Sequence, residues 1–147
     1  MTVAIGMLCQ KDGFGYTVLD DTTMSVREER LDVPASKSDR GEQLDWLLSE
    51  AMRMFRTESP ANVWVQKSGS GQYNADPQRH EVAAIVQVAA YRAKVQCSLQ
   101  TTESVRGALG VKKASGAYKQ LLTREDIAAR RNAQKRAQYA YALAAAT

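Results

Sequence analysis

The sequence predicts an α/β fold, a five-stranded mixed sheet with helices packed on both faces. Two observations carry this prediction. The first third of the chain holds three strand-like runs separated by turn residues, before any helical periodicity begins. From residue 39 onward, segments with apolar residues at helical spacing alternate with short buried runs. Three antiparallel strands followed by alternating helices and strands leave a sheet that must be covered on both sides. The length of 147 residues fits one ordinary domain, 1–147, with a single layered core.

Taken in order, residues 2–9 form a mostly apolar run suited to a strand buried on both faces. Gln10, Lys11, Asp12 and Gly13 supply turn chemistry, and residues 14–19 read as the returning strand of a hairpin. Asp20, Asp21 and Thr22 make a second turn. Residues 24–33 are more polar and suit a sheet edge. Asp39 and Glu42 then stand at capping-box spacing, ahead of Leu44, Leu47, Leu48, Ala51, Met54 and Phe55 on one helical face. This helix ends before Ser59-Pro60, because the residue ahead of proline disfavours the helical region.

Val63, Trp64 and Val65 form a short buried strand, followed by a loop carrying Gly69, Ser70 and Gly71. Asp76-Pro77 opens a second helix, with proline at the first helical position, where its missing donor costs little. Val82, Ile85, Val86, Val88 and Ala89 make this helix apolar around much of its circumference. A second surface to cover it is implied, either within the domain or as a homodimer contact through residues 77–93, and the homodimer is the expectation adopted. Residues 95–99 give a fifth strand, and 104–122 contain a glycine-punctuated turn and a short helix. Thr123 and Asp126 repeat the capping-box spacing at the start of a long final helix running to about Ala146.

Composition narrows the function classes. Cys9 and Cys97 are too few and too distant for a disulfide framework or a zinc ribbon, and both sit in apolar runs as structural thiols. His80 is the only histidine, which argues against a His-based metal cage or a Ser-His nucleophile pair. No apolar stretch approaches the ~20 residues of a membrane span, so a cytoplasmic protein without membrane association is expected. The net charge of +4 conceals an asymmetry, since residues 100–147 hold nine basic residues against three acidic. A polyanion would dock on that last third.

Three segments carry a resemblance to a known family. Ala4-Ile5-Gly6-Met7-Leu8 with Gly15-Tyr16 downstream resembles the opening hairpin of the RuvC-like Holliday junction resolvases, in the RNase H-like superfamily. Asn62 to Lys67 is similar to that family's fourth strand. Residues 105–114, from Val105 through Lys112, Lys113 and Ala114, resemble its DNA-proximal turn. The frame of small residues in 137–144 resembles its final helix. The departures are Phe14 for a usual threonine, Gly116 for a usual lysine and, above all, the four acid positions. The resemblance places catalytic carboxylates where this chain has Leu8, Gln66, Gln138 and Tyr141.

The expected chemistry follows from those four residues. Two-metal phosphodiester hydrolysis uses carboxylates to hold two Mg²⁺ ions about 3.5–4 Å apart. Glutamine keeps an oxygen without charge, tyrosine is neutral near pH 7 and leucine offers no donor. No catalytic residue and no metal cofactor is therefore expected, Mg²⁺ entering only if acids such as Asp12, Glu81, Glu125 or Asp126 have relocated. The resemblance implies a DNA partner, such as a four-way junction or a duplex. Arg106, Lys112, Lys113, Lys119, Arg124, Arg130, Arg131, Lys135 and Arg136 are the candidate phosphate contacts. Tyr73 is a candidate base-stacking residue, or a plain surface tyrosine. The expectation is a catalytically inactive RuvC-like DNA-binding protein. Two alternatives stay open: a protein-interaction adaptor or inhibitor on the same fold, and a residual Mg-dependent junction endonuclease.

Overall fold

In a computed structural model of the chain, which describes residues 2–23, 25–67, 76–111, 124–130 and 132–147, the first apolar run folds back as an antiparallel pair. β1 (Val3–Gln10) pairs with β2 (Gly13–Asp20) across the Lys11-Asp12 turn, and β2 pairs with β3 (Ser25–Asp32). Two parallel additions complete the sheet. β4 (Asn62–Gln66) lies beside β1, and β5 (Cys97–Gln100) lies beside β4, giving the order β3-β2-β1-β4-β5. β1 is central and buried on both faces, as its continuous apolar run requires, whereas polar β3 takes an edge.

Alternation along the strands splits the interior into two layers. Ile5, Met7, Cys9, Phe14, Val63 and Val65 point to one face and pack under α1 (Arg40–Glu58) and α2 (Pro77–Arg92). Asp39 caps α1 by accepting the Glu42 amide at 3.1 Å, and Ser59 closes it in the left-handed region with φ 47°. Asp76 caps α2 with proline in its first turn. Leu47, Ala51, Met54 and Phe55 of α1 and Val82, Val86 and Ala89 of α2 are buried, so the helical faces read from the sequence are the ones that pack. On α2, Ile85 is only half-buried, Val88 is 40% exposed and Tyr91 is 84% exposed.

The opposite face is covered by the C-terminal part of the chain. There, Leu19, Val105 and Ile127 pack with Tyr139, Ala140, Tyr141, Ala142 and Ala144 of α5 (Ala133–Ala146), and Trp64 joins them from β4. α3 (Thr102–Ala108), capped by Thr101, and the single turn α4 (Glu125–Ala128) complete this layer.

Two sequence expectations are corrected. The long final helix begun at Thr123 and Asp126 is not continuous, since the chain leaves the helix after Ala128 and restarts at Ala133. Asn132 caps the restart by accepting the Lys135 amide at 2.9 Å, while Asp126 accepts the Ile127 amide and pairs with Arg124. A short side-chain acceptor favours a cap over a helix interior, and Asn132 supplies one mid-run. Thr123 lies outside the described residues.

The fifth strand starts at Cys97, not at residue 95, because Val95 still belongs to the end of α2. Its amide bonds to Ala90 O and that of Lys94 to Tyr91 O, with Lys94 at φ 59°, a Schellman closure. Within 104–122, α3 ends ahead of the expected glycine turn, in which Gly110 adopts φ 72°, and the part of this stretch beyond Val111 lies outside the described residues.

Candidate functional site

Two strand glycines let α5 sit directly on the sheet. A Cβ at Gly6 would lie 2.2 Å from Gln138 O and 2.3 Å from Ala142 N, so helix backbone meets strand backbone there. A Cβ at Gly15 would lie 2.2 Å from Gln138 Nε2, so the Gln138 side chain runs across Gly15. Leu8 is the register partner of Gly15 and shares the α5 face with Gly6 by alternation. Gln66 shares that face with Trp64, and its register partner is Gln100. The fully buried Tyr141 reaches the same strand end, donating its hydroxyl to Gln100 O at 3.0 Å.

Leu8, Gln66, Gln138 and Tyr141 therefore gather at one end of the central strands, on one face, with one turn of α5 across them. None of the four carries a charge. Gln138 is 5% exposed against Gly15, Tyr141 spends its proton on a backbone carbonyl, and Leu8 contributes only methyl groups. This donor set does not fit a pair of Mg²⁺ ions, which need charged oxygens to displace their water.

The other acids among the described residues do not assemble a replacement. Among the described residues no three of His, Cys, Asp and Glu stand close enough to hold a metal ion. Glu81 is paired with Arg40 at 2.8 Å, and Asp126 with Arg124 at 3.0 Å. Asp12 sits beside Val33, Pro34 and Lys37 in the first hairpin turn. The Glu125 side chain lies outside the described residues.

Two open clefts flank the cluster. One, of about 450 Å³, is lined by Leu8, Gln10, Lys11, Asp76, Arg79 and Gln134. The other, of about 270 Å³, lies between Glu28, Arg30, Asn132, Lys135 and Gln138, and Gln134 borders both. Arg79 is fixed at the first cleft by donating from Nε to Cys9 O at 3.1 Å. Lys11, Arg30, Arg79 and Glu28 are charged residues that sequence reasoning did not single out. The available signal was phase, since Glu28 and Arg30 alternate with Arg27 and Glu29 along an edge strand and so face α5.

Of the nine candidate phosphate contacts, five are described. Arg106 on α3 donates to Val111 O at 2.7 Å, and Arg136 donates to Arg130 O at 3.1 Å. Arg124 grips Asp126 through two hydrogen bonds. Arg130 and Lys135 both face Glu28, at 3.7 and 3.4 Å, and the Arg130 guanidinium lies 4.5 Å over the Tyr139 ring. Lys112, Lys113, Lys119, Arg131 and Tyr73 lie outside the described residues.

The two thiols belong to the other side of the molecule. Burial pushes the Cys9 thiol up to about 12, the neighbouring Cys97 adding to the effect and Arg79 opposing it. Burial raises Cys97 to about 11. Both are free, protonated thiols at neutral pH.

No protein-family model matches the chain, and no curated protein matches it significantly. Solved structures do. RuvC from Thermus thermophilus in complex with a Holliday junction substrate superposes with a TM-score of 0.73 at 17% identity, over 99% of this chain and 93% of that chain. A second Thermus thermophilus RuvC structure gives 0.71 at 17% identity, with the same coverage of both chains. The yeast mitochondrial Holliday junction resolvase Ydc2 gives 0.54 at 8% identity, over 95% of this chain and 77% of that chain. The fold of this chain is thus RuvC-like, within the RNase H-like class, as the three sequence segments implied.

Proposed function

We propose that this chain is a DNA-binding protein on the RuvC-like fold that does not carry out metal-dependent cleavage. The observation that carries the reading is the convergence of Leu8, Gln66, Gln138 and Tyr141 at one strand end without a carboxylate among them. A two-metal centre concentrates negative charge, whereas these four side chains carry none, so the scaffold is kept and the hydrolytic step lacks its carboxylates. Binding draws on a different set of residues, the nine basic side chains of the last third together with Lys11 and Arg79 at the neighbouring cleft. Their contacts would be to phosphates, giving affinity that is salt-dependent and largely indifferent to sequence. A four-way junction is the first substrate to try, since the Thermus relative with this fold was solved in complex with a Holliday junction.

A gel-shift comparison of four-way junction and duplex DNA across a salt series, run with Mg²⁺ and with EDTA, tests both halves. The expected result is binding at low salt that is lost as salt rises, with intact DNA recovered after incubation with Mg²⁺ or Mn²⁺. Absence of binding to either DNA at low salt removes the first half, and specific cleavage products remove the second.

A specific feature of α2 supports self-association as part of this reading. Ile85, Val88 and Tyr91 recur every three residues on a helix whose opposite face is already buried, and Tyr91 is 84% exposed. A second copy of the chain would cover this stripe. Light scattering should give the mass of a dimer, and Tyr91→Glu should give that of a monomer. A partner that co-purifies at high salt with no DNA affinity would instead favour an adaptor role for the same surface.

A further inference from the structure

The ion pairs around Glu28 are looser than ordinary salt links, and their geometry points to a replaceable occupant. Glu28 lies on β3 facing α5, with its side chain only 18% exposed. Its Oε1 lies 3.7 Å from Arg130 Nη1 and its Oε2 lies 3.4 Å from Lys135 Nζ. Both separations exceed a hydrogen-bonding distance for a charge-assisted pair. Among the described residues, Oε1 is buried with no hydrogen-bond partner, and so is Arg130 Nε. The carboxylate neutralises two cations without satisfying them.

The cations, by contrast, are firmly placed. Arg130 is stacked on Tyr139, and its carbonyl accepts Arg136 Nε at 3.1 Å. Lys135 stands in the first turn of the fourteen-residue helix α5, where the helix dipole adds positive potential, and Asn132 anchors that turn. The remaining charges on this cleft are Arg30, paired with Asp32 at 2.7 Å, and Glu29, which stands 3.9 Å from Arg27. A preformed cationic seat is therefore filled, in the free protein, by one poorly fitting carboxylate.

We propose that Glu28 is an intramolecular stand-in for a phosphodiester, which it yields to when the protein binds nucleic acid. This rests on the DNA-binding reading and deepens it by naming the seat and its internal competitor. A phosphodiester presents two anionic non-bridging oxygens on a group not tied to β3, and can approach both cations within hydrogen-bonding distance, so exchange replaces two long ion pairs by short ones. Glu28 thus lowers affinity for any polyanion and sets a threshold that weak, single-phosphate ligands do not cross.

Glu28→Gln keeps the side-chain shape and removes the charge. Binding of duplex DNA should tighten about tenfold at low salt, and the slope of log K against log salt should steepen by about one to two. Elution from a heparin column should move to higher salt in parallel. Adding Arg130→Gln and Lys135→Gln to Glu28→Gln should abolish both gains. Circular dichroism and thermal melting establish that each variant folds, and Glu28→Ala provides a second charge removal if Glu28→Gln does not fold. An unchanged slope and unchanged heparin elution in a folded charge-removal variant overturn the proposal. If neither wild type nor variant binds DNA, the parent reading falls, and heparin elution alone then decides the stand-in, a shift supporting it and no shift removing it.

Discussion

The two faces of the sheet are built by opposite means. Under α1 and α2, the space is filled with large side chains such as Ile5, Met7, Phe14 and Phe55, all fully buried, and the helices stand off the strands by the thickness of that layer. Under α5, glycines at 6 and 15 remove the layer, the helix backbone comes down onto β1, and much of the helical contribution is alanine. The first face is an ordinary core. The second is a docked helix that carries Lys135, Gln138 and Tyr141 to one end of the sheet. Sites that need several side chains at a defined position gain from a helix pinned by backbone contact, because such a helix has little room to shift.

The largest effect that would break this comparison is at Gly6. Gly6→Ala places a methyl group against backbone atoms of residues 138 and 142 that cannot rotate away, so α5 must lift. A loss of about 3 kcal/mol in urea unfolding is expected, at the upper end of overpacking costs. Gly15→Ala meets the far end of the Gln138 side chain instead and should cost about 1 kcal/mol. Combining Gly15→Ala with Gln138→Ala should cost less than the separate losses added together. Equal losses at Gly6 and Gly15 would show that the helix is free to shift and that the docking account is wrong.

This difference also decides what could be read from the sequence. The filled face was legible, since the helical spacing of Leu47, Ala51, Met54 and Phe55 and the apolar run of β1 report side chains packing on side chains. Caps with short side chains at Asp39 and Asp76 were legible for the same local reason. The break at Asn132 was not, because alanine-rich sequence propagates a helix pattern on either side and only a local hydrogen bond decides where it restarts. The gathering of Leu8, Gln66, Gln138 and Tyr141 rests on pairing across four strands and one helix, which periodicity does not encode. It became visible in the sequence only through the resemblance to a family. The Glu28 pairs with Arg130 and Lys135 escaped because the partners are about a hundred residues apart and both were assigned to DNA.

The filled face should betray itself at high pH. Unfolded, the Cys9 thiol releases its proton near 9.0, whereas burial in the fold holds the proton to about 12. The folded state therefore binds more protons between those values. Stability that is fully present below about pH 9 is lost as pH rises toward 12, at up to about 1.4 kcal/mol per pH unit. Urea unfolding at pH 8, 9, 10 and 11, compared with Cys9→Ala, isolates this thiol from the lysines and tyrosines that titrate in the same range. The variant should be less stable at pH 8 but show a shallower decline, and parallel declines would mean that water reaches the thiol.

The smallest effect sharpens the account of the docked face. Tyr141 is fully buried, and its hydroxyl donates to Gln100 O, joining α5 to the last strand at the end of the sheet where the four positions meet. Tyr141→Phe keeps the ring and removes that donor, so the loss should be about 1 kcal/mol, the net worth of one hydrogen bond. Backbone amide exchange should rise most at the C-terminal end of β5, while exchange under α1 and α2 stays as it was. A change that small, confined to that strand end, is what separates a hydrogen bond that positions the helix from packing that holds it. A loss of 3 kcal/mol spread over both faces would mean that Tyr141 belongs to the common core and that the two faces are not independent.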